Sequence, residues 1–149
     1  MQDETFREAF TDPPAIKLAG VPVTGLKLRS PYLSYGLPYE VACAKHVKDT
    51  FQARRVYIIC SGSLARNTDK VDKLIHALGK EHVVGLRKGI TSHSPWNEIL
   101  DITDEARQAQ ADCMITIGAG STTDAAKIIV LVWRNWSFRI AYSANMSGV

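Results

Sequence analysis

Gly118-Ala119-Gly120-Ser121 is the stretch whose residue types and spacing suggest ligand chemistry most directly. A short apolar run (Cys113, Met114, Ile115, Ile117) enters it, and an apolar helical pattern (Ala125, Ala126, Ile128, Ile129, Val132) leaves it. That order reads as strand, tight turn, helix. Glycines let the backbone adopt angles and approach distances that a Cβ would block. The helix then begins with unpaired N–H groups and the positive end of its dipole turned toward the loop, a setting that suits a phosphate. The same letters allow a second reading. Ser121 and Asp124 fit S-x-x-D, a capping box that would satisfy those N–H groups with no ligand. The spacing is not the G-x-G-x-x-G dinucleotide fingerprint, because Thr123 stands where the last glycine belongs. With a nucleotide in place, the Asp124 carboxylate would have to turn toward a sugar hydroxyl or a backbone N–H.

Other chemistry has weaker support. His46, His76, His82 and His93 show no H-E-x-x-H spacing and no paired cysteines, so no metal site is expected within this chain. Cys43, Cys60 and Cys113 lie far apart, as buried reduced thiols do. No G-x-S-x-G elbow occurs, so no catalytic residue is named, and Lys127 is expected to pair with a carboxylate or solvent. A net charge of +3, scattered rather than striped, argues against nucleic acid. The longest apolar run, Ile128 to Trp133, is too short for a bilayer, and the polar, acidic opening is unlike a signal peptide. A cytoplasmic protein with no membrane partner is expected.

Elements that position the turn follow from periodicity. With 149 residues and 46% apolar content, the chain suffices for one packed domain. Residues 1–30 read as a partly irregular N-terminal arm. Prolines 13, 14, 22, 31 and 38 leave room only for short strands, near Val21–Leu28 and Tyr32–Tyr35. Tyr39–Ala44 reads as a short strand followed by helical turns to Asp49. Val56–Cys60 is a continuous apolar, β-branched run, the mark of a strand covered on both faces. A helix is expected over Leu64–Leu78, ending at Gly79, and a strand over His82–Leu86. Ser94-Pro95 would cap a helix, with proline at its first position, that turns Trp96, Ile99, Leu100, Thr103 and Ala106 inward. After the Gly118 turn and its helix, Trp136, Phe138, Ile140 and Tyr142 alternate with polar or small residues as one more strand. Trp133, Trp136 and Phe138 read as core or subunit contact. The fold class is therefore α/β: a Rossmann-like parallel sheet with helical crossovers in three layers, over residues 31–149.

Ile117 to Lys127 resembles the G-G-G-S-x-x-D-x-A-K segment of iron-containing alcohol dehydrogenases, shared by the wider dehydroquinate-synthase-like group that includes maleylacetate reductases. Leu33-Ser34-Tyr35-Gly36-Leu37-Pro38 looks like the entry strand of maleylacetate reductases. Arg54 to Ser61 resembles the strand before the ribose site, and His93-Ser94-Pro95 a loop beside the adenosine half of the cofactor. Arg139 to Gly148 looks like a degraded copy of the family segment with Pro-Thr-Thr and Ser-Gly. The likeness covers about residues 30–149.

The resemblance implies an NAD(P)-binding domain of a hydride-transferring alcohol dehydrogenase or reductase. Gly118, Ala119, Gly120 and Ser121 would hold the diphosphate, with Asp124 near the nicotinamide. Ser61 and Gly62 would meet the ribose, and His93 and Asn145 would also contact the cofactor. Ser61 stands where NAD-preferring members carry aspartate, so NADP is slightly favoured, with Arg66 assisting. Ala119 replaces the middle glycine, and Ser143-Ala144-Asn145 lacks the threonine hydroxyls. The family's helical C-terminal domain, with its metal ligands and most of its substrate pocket, is expected to be missing from this chain. A homo-oligomer is expected, since uncovered strand edges and helix faces seek partners. The rival reading is a non-catalytic interaction or dimerisation protein with a vestigial cofactor site; a phosphosugar-binding domain is a third.

Overall fold

A computed structural model describes residues 3–11, 17–23, 30–93, 95–118 and 120–134. In chain order its elements are β1 (Thr5–Glu8), β2 (Lys17–Leu18), β3 (Val21–Pro22), β4 (Tyr32–Tyr35), α1 (Tyr39–Lys45), β5 (Val56–Cys60), α2 (Gly62–Asn67), α3 (Lys70–Leu78), β6 (Val83–Lys88), α4 (Trp96–Gln108), β7 (Cys113–Ile117) and α5 (Ser121–Arg134). A π-helical turn, His46–Thr50, prolongs α1.

The organising strand is β5. It lies between β6 and β7 in a parallel three-stranded sheet, with all five of its residues buried. Alternate residues face opposite layers, as the period-two geometry of a strand requires. Tyr57 and Ile59 pack with Ile99, Ile102 and Ala106 of α4 and Ala125, Ile129 and Val132 of α5. Val56 and Ile58 pack with Val47, Leu74 and Leu78 on the other side. These two clusters make the three layers expected from sequence. Burying one such aliphatic side chain contributes roughly 1.5–3 kcal/mol, so the five β5 residues anchor both layers at once. Pairing of β5 with β6 shifts register between Val56 and Tyr57, and Gly85 comes to lie under the Tyr57 ring. A Cβ on Gly85 would stand 2.4 Å from that ring. Arg107 of α4 joins the helices by donating to the carbonyls of Val132 and Trp133 at the end of α5, at 3.1 and 2.5 Å.

The N-terminal region forms two small antiparallel pairs, β1 with β4 and β2 with β3. Glu4 fastens the first pair to α1: its carboxylate accepts from the Lys45 ammonium and the Ser34 hydroxyl (2.7 Å), and meets His46 Nε2 at 2.5 Å. The Lys45, Ser34 and His46 contacts hold the Glu4 carboxyl down at about 2.

Three expectations change. Tyr39–Ala44 is helix rather than strand. Pro38 holds extended angles (φ −53°, ψ 138°) while its carbonyl accepts from Val41 and Ala42, and Glu40 and Lys45 sit at the helix ends their charges favour. Tyr39, Cys43 and Ala44 thereby reach the core with helical spacing. The helix expected over 64–78 is two, broken where Thr68 turns extended (φ −143°, ψ 162°) and its hydroxyl donates to the Leu64 carbonyl at 2.7 Å. Pro95 is the N-cap of α4, not its first helical residue. The strand expected over Trp136–Tyr142 and the polar turn after it, Asn145 included, lie outside the described residues, as do Ser94, Ala119 and residues 24–29. Among the described residues no helix is long and apolar enough to cross a membrane.

Candidate functional site

From β5 the chain crosses through α2 and α3 to β6 on one side; from β6 it crosses through α4 to β7 on the other. The loops leaving β5 and β7 therefore run apart from the same sheet edge, the switch point at which open α/β sheets bind ligands. The Ser61 N–H donates to the Ile117 carbonyl at 2.9 Å, carrying the sheet ladder one step past both strands. Gly118 lies directly against this loop. Its φ is +139°, and a Cβ there would sit 3.1 Å from Ser61 Cβ and 3.3 Å from its hydroxyl. Glycine is thus required at 118 on two grounds, backbone angle and space.

Gly120 has φ +57° and open space where a Cβ would be. The first helical bond of α5 runs from the Asp124 N–H to the Gly120 carbonyl at 3.1 Å. Gly120 is therefore the cap residue and Ser121 the first helical one, so the S-x-x-D capping box does not form. The Asp124 carboxylate pairs with Lys127 instead, at 3.2 Å on the exposed face of the helix. Among the described residues, nothing accepts from the N–H groups of Ser121, Thr122 or Thr123.

Next to this helix start is an open cleft of about 750 Å3, whose lining includes Ser61, Gly62, Ser63, Ser121 and Thr122 together with Arg66, Arg87, Lys88, Gly89, Thr91 and Glu98. Glu98 accepts from the Thr91 N–H at 3.0 Å and meets Arg87 at 3.4 Å. Arg87 also pairs with Glu105 at 3.2 Å, and Glu105 accepts from the Tyr57 hydroxyl at 2.5 Å. Burial pushes the Glu98 carboxyl up, but hydrogen bonds from Thr91 and the Arg87 charge outweigh it, and the net shift is downward. Burial, then the hydrogen bond to Glu105, pushes the Tyr57 phenol well above its ordinary value. The wall is therefore a fixed polar network backed by the core.

Of the residues singled out from sequence, Ser61, Gly62 and Ser121 line the cleft, with Gly118 and Gly120 forming the adjacent turn. Asp124 faces Lys127 outside it. His93 is exposed at φ +68° and is not among the cleft-lining residues. Ala119 and Asn145 are outside the described residues. Thr91, from the 91–94 loop expected at this sheet edge, also lines the cleft, whereas sequence reasoning missed Arg87, Lys88, Gly89 and Glu98. The basic pair closing an apolar strand, followed by glycine, was the available signal. Among the described residues no three His, Cys, Asp or Glu side chains gather as metal ligands.

The sequence profile of iron-containing alcohol dehydrogenases matches residues 38–147, which hold every cleft residue named above. The chain belongs to the iron-containing alcohol dehydrogenase family. Similar proteins include Dehydrogenase FUM7 of Gibberella moniliformis (strain M3125 / FGSC 7600), 43% identical over 70% of this chain and 24% of that protein. Dehydrogenase ALT3 of Alternaria alternata is 40% identical over 54% of this chain and 21% of its own. The 1-propanol dehydrogenase PduQ of Citrobacter freundii is 31% identical over 58% and 23%. A crystal structure from Ralstonia eutropha JMP134, provisionally named an alcohol dehydrogenase, superposes with TM-score 0.53 at 29% identity, over 62% of this chain and 25% of that one. The chain spans about a quarter of the length of these relatives.

Iron-containing alcohol dehydrogenases use a nicotinamide dinucleotide. Here a turn that a Cβ at 118 would fill, helix N–H groups without an acceptor among the described residues and a cation-lined cleft fit the diphosphate and adenosine parts of such a molecule. The family's iron has no matching donor set among the described residues.

Proposed function

We propose that this chain is the dinucleotide-binding part of an NAD(P)-dependent oxidoreductase that moves hydride between nicotinamide and an alcohol or carbonyl carbon. The observation that carries this reading is the turn at Gly118, Gly120 and Ser121: glycine packed on Ser61 at the switch point, opening onto a helix start with no side-chain cap among the described residues. When bound, the cofactor supplies the hydride chemistry, and the protein's task is to place it. The N–H groups at the start of α5 hold the diphosphate. Ser61 and Gly62 sit at the ribose end, and the lack of a carboxylate at Ser61 favours NADP(H) over NAD(H). Asp124, neutralised by Lys127, borders the nicotinamide side, and Ala119, His93 and Asn145 complete the contacts by resemblance. Residues 31–149 would form the cofactor domain and residues 1–30 its arm.

All three cysteines are free thiols, which supports a reducing compartment such as the cytoplasm. A homo-oligomer is supported by the outer edge of β7, which has no partner strand among the described residues. Titration of the chain with NADPH and NADH, followed by nicotinamide fluorescence, tests the reading. Saturable binding that Gly120→Val removes, with an unchanged circular dichroism spectrum, supports it. Absence of binding at millimolar cofactor overturns it in favour of a dimerisation protein with a vestigial site.

A further inference from the structure

The cleft holds three cations, and their surroundings differ. Arg87 is held from two sides by Glu98 and Glu105, so its charge is spent within the protein. Arg66 and Lys88 have no carboxylate partner among the described residues. The Arg66 guanidinium folds back over the loop after β5: its Nη1 is 2.9 Å from where a Gly62 Cβ would be. Lys88 is the last residue of β6 and is exposed at the cleft. Gly89 follows and presses on the first loop, a Cβ there lying 3.5 Å from Gly62 Cα. Two neighbouring loops thus touch through glycines, and each contributes one uncompensated cation to the same opening. Ser61 and Ser63 hydroxyls border it, while the cleft's one lining acid, Glu98, is taken by Arg87 and Thr91.

We infer that Arg66 and Lys88 together form the seat of a phosphomonoester on the adenosine ribose, and so decide cofactor choice. This rests on the dinucleotide reading given above. A plain ribose offers two neutral hydroxyls, which a carboxylate would accept and which two bare cations do not recognise. A phosphomonoester brings a charge of about −1.5 to −2 and three acceptor oxygens, which match a guanidinium fork and an ammonium. Ser121 and Thr122, at the helix start proposed above for the diphosphate, line the same cleft, so one extended molecule would meet both seats.

The test uses the intact chain and three adenosine probes: 2′,5′-ADP, 3′,5′-ADP and 5′-AMP, with affinities from calorimetry. The expected result is at least about tenfold tighter binding of 2′,5′-ADP than of the other two, the size of one charge-assisted contact. Arg66→Ala and Lys88→Ala should each erode that margin and the double variant should erase it, while 5′-AMP affinity stays constant. Both side chains are exposed, so the variants keep the fold. Equal binding of 2′,5′-ADP and 3′,5′-ADP would reveal a general anion attraction and overturn the inference, as would a margin that survives the double variant. In either case NADH and NADPH would still bind. If neither dinucleotide binds, the parent reading falls and takes this one with it.

Discussion

Strands β6 and β7 flank the same buried strand yet border opposite kinds of surface. At its end, β6 delivers Arg87 and Lys88, with Gly89 following, to a polar cleft with a fixed charge network. Along β7, an apolar trench of about 450 Å3 runs between Met114 and Thr116 and the Ala126 and Val130 face of α5. A second, of about 270 Å3, lies on its other face beside Cys43, Val47 and Phe51. On the β6 side Arg87 is held by two carboxylates, while Lys88 and the neighbouring Arg66 have no carboxylate partner among the described residues. The lining of the β7 trenches is apolar or neutral except for Lys127 in the first and His46 in the second, and the strand's outer edge has no partner strand among the described residues. One side is built to recognise, the other to be covered.

Four substitutions or titrations would break or sharpen this contrast. The largest effect should come from the strand both sides share. Ile58→Ala and Ile59→Ala remove methyl groups from opposite layers, and each should cost about 2–5 kcal/mol in urea unfolding. A loss confined to one of the two would mean that the layers are not equally dependent on β5. Next, Gly85→Ala forces a methyl group into the Tyr57 ring and should cost about 1–3 kcal/mol. Because Tyr57 holds Glu105, which holds Arg87, the same variant should weaken adenosine binding while leaving self-association alone; unaltered 2′,5′-ADP affinity would uncouple the network from the cleft.

Third, Thr116→Lys places a charge on the β7 edge. Sedimentation should then show loss of self-association with cofactor affinity unchanged, and a wild-type monomer at high concentration would refute the covered-edge idea. The smallest effect concerns acid. Glu4 has its folded pKa lowered from the ordinary 4.5 to about 2, so its contribution to stability is present above 4.5 and fades as pH falls toward 2. Amide exchange in β1 and β4 should rise over that window, and Glu4→Gln should make it flat. Glu98, also lowered, should lose its hold on Thr91 in the same direction.

Sequence legibility followed how strongly each segment's pattern was forced. β5 was readable because a strand covered on both faces must be apolar throughout, and Val56–Cys60 is. α4 and the β7–α5 unit were readable from helical spacing and the glycine turn. Tyr39–Ala44 was not, because six residues with mixed apolar content fit either period, and Pro38 with the outlying Val47 decided for helix. The break at Thr68 did carry a signal, in Asn67-Thr68-Asp69, whose side chains compete for backbone hydrogen bonds. In the site, the glycine turn announced itself because backbone geometry constrains residue type. Arg87, Lys88 and Glu98 did not, because a charge acquires a role only when strand order shows what it faces. The capping box failed for a local reason: the helix starts one residue too early for Ser121 to cap it.

The bond from the Ser61 N–H to the Ile117 carbonyl has a mechanical consequence. It ties the first residue after β5 to the last residue of β7, so the two loops leave the sheet from one shared anchor. The Gly89 N–H, donating to the Cys60 carbonyl at 2.7 Å, moors the opposite lip to the same strand end, so the mouth of the cleft is braced from both sides of β5.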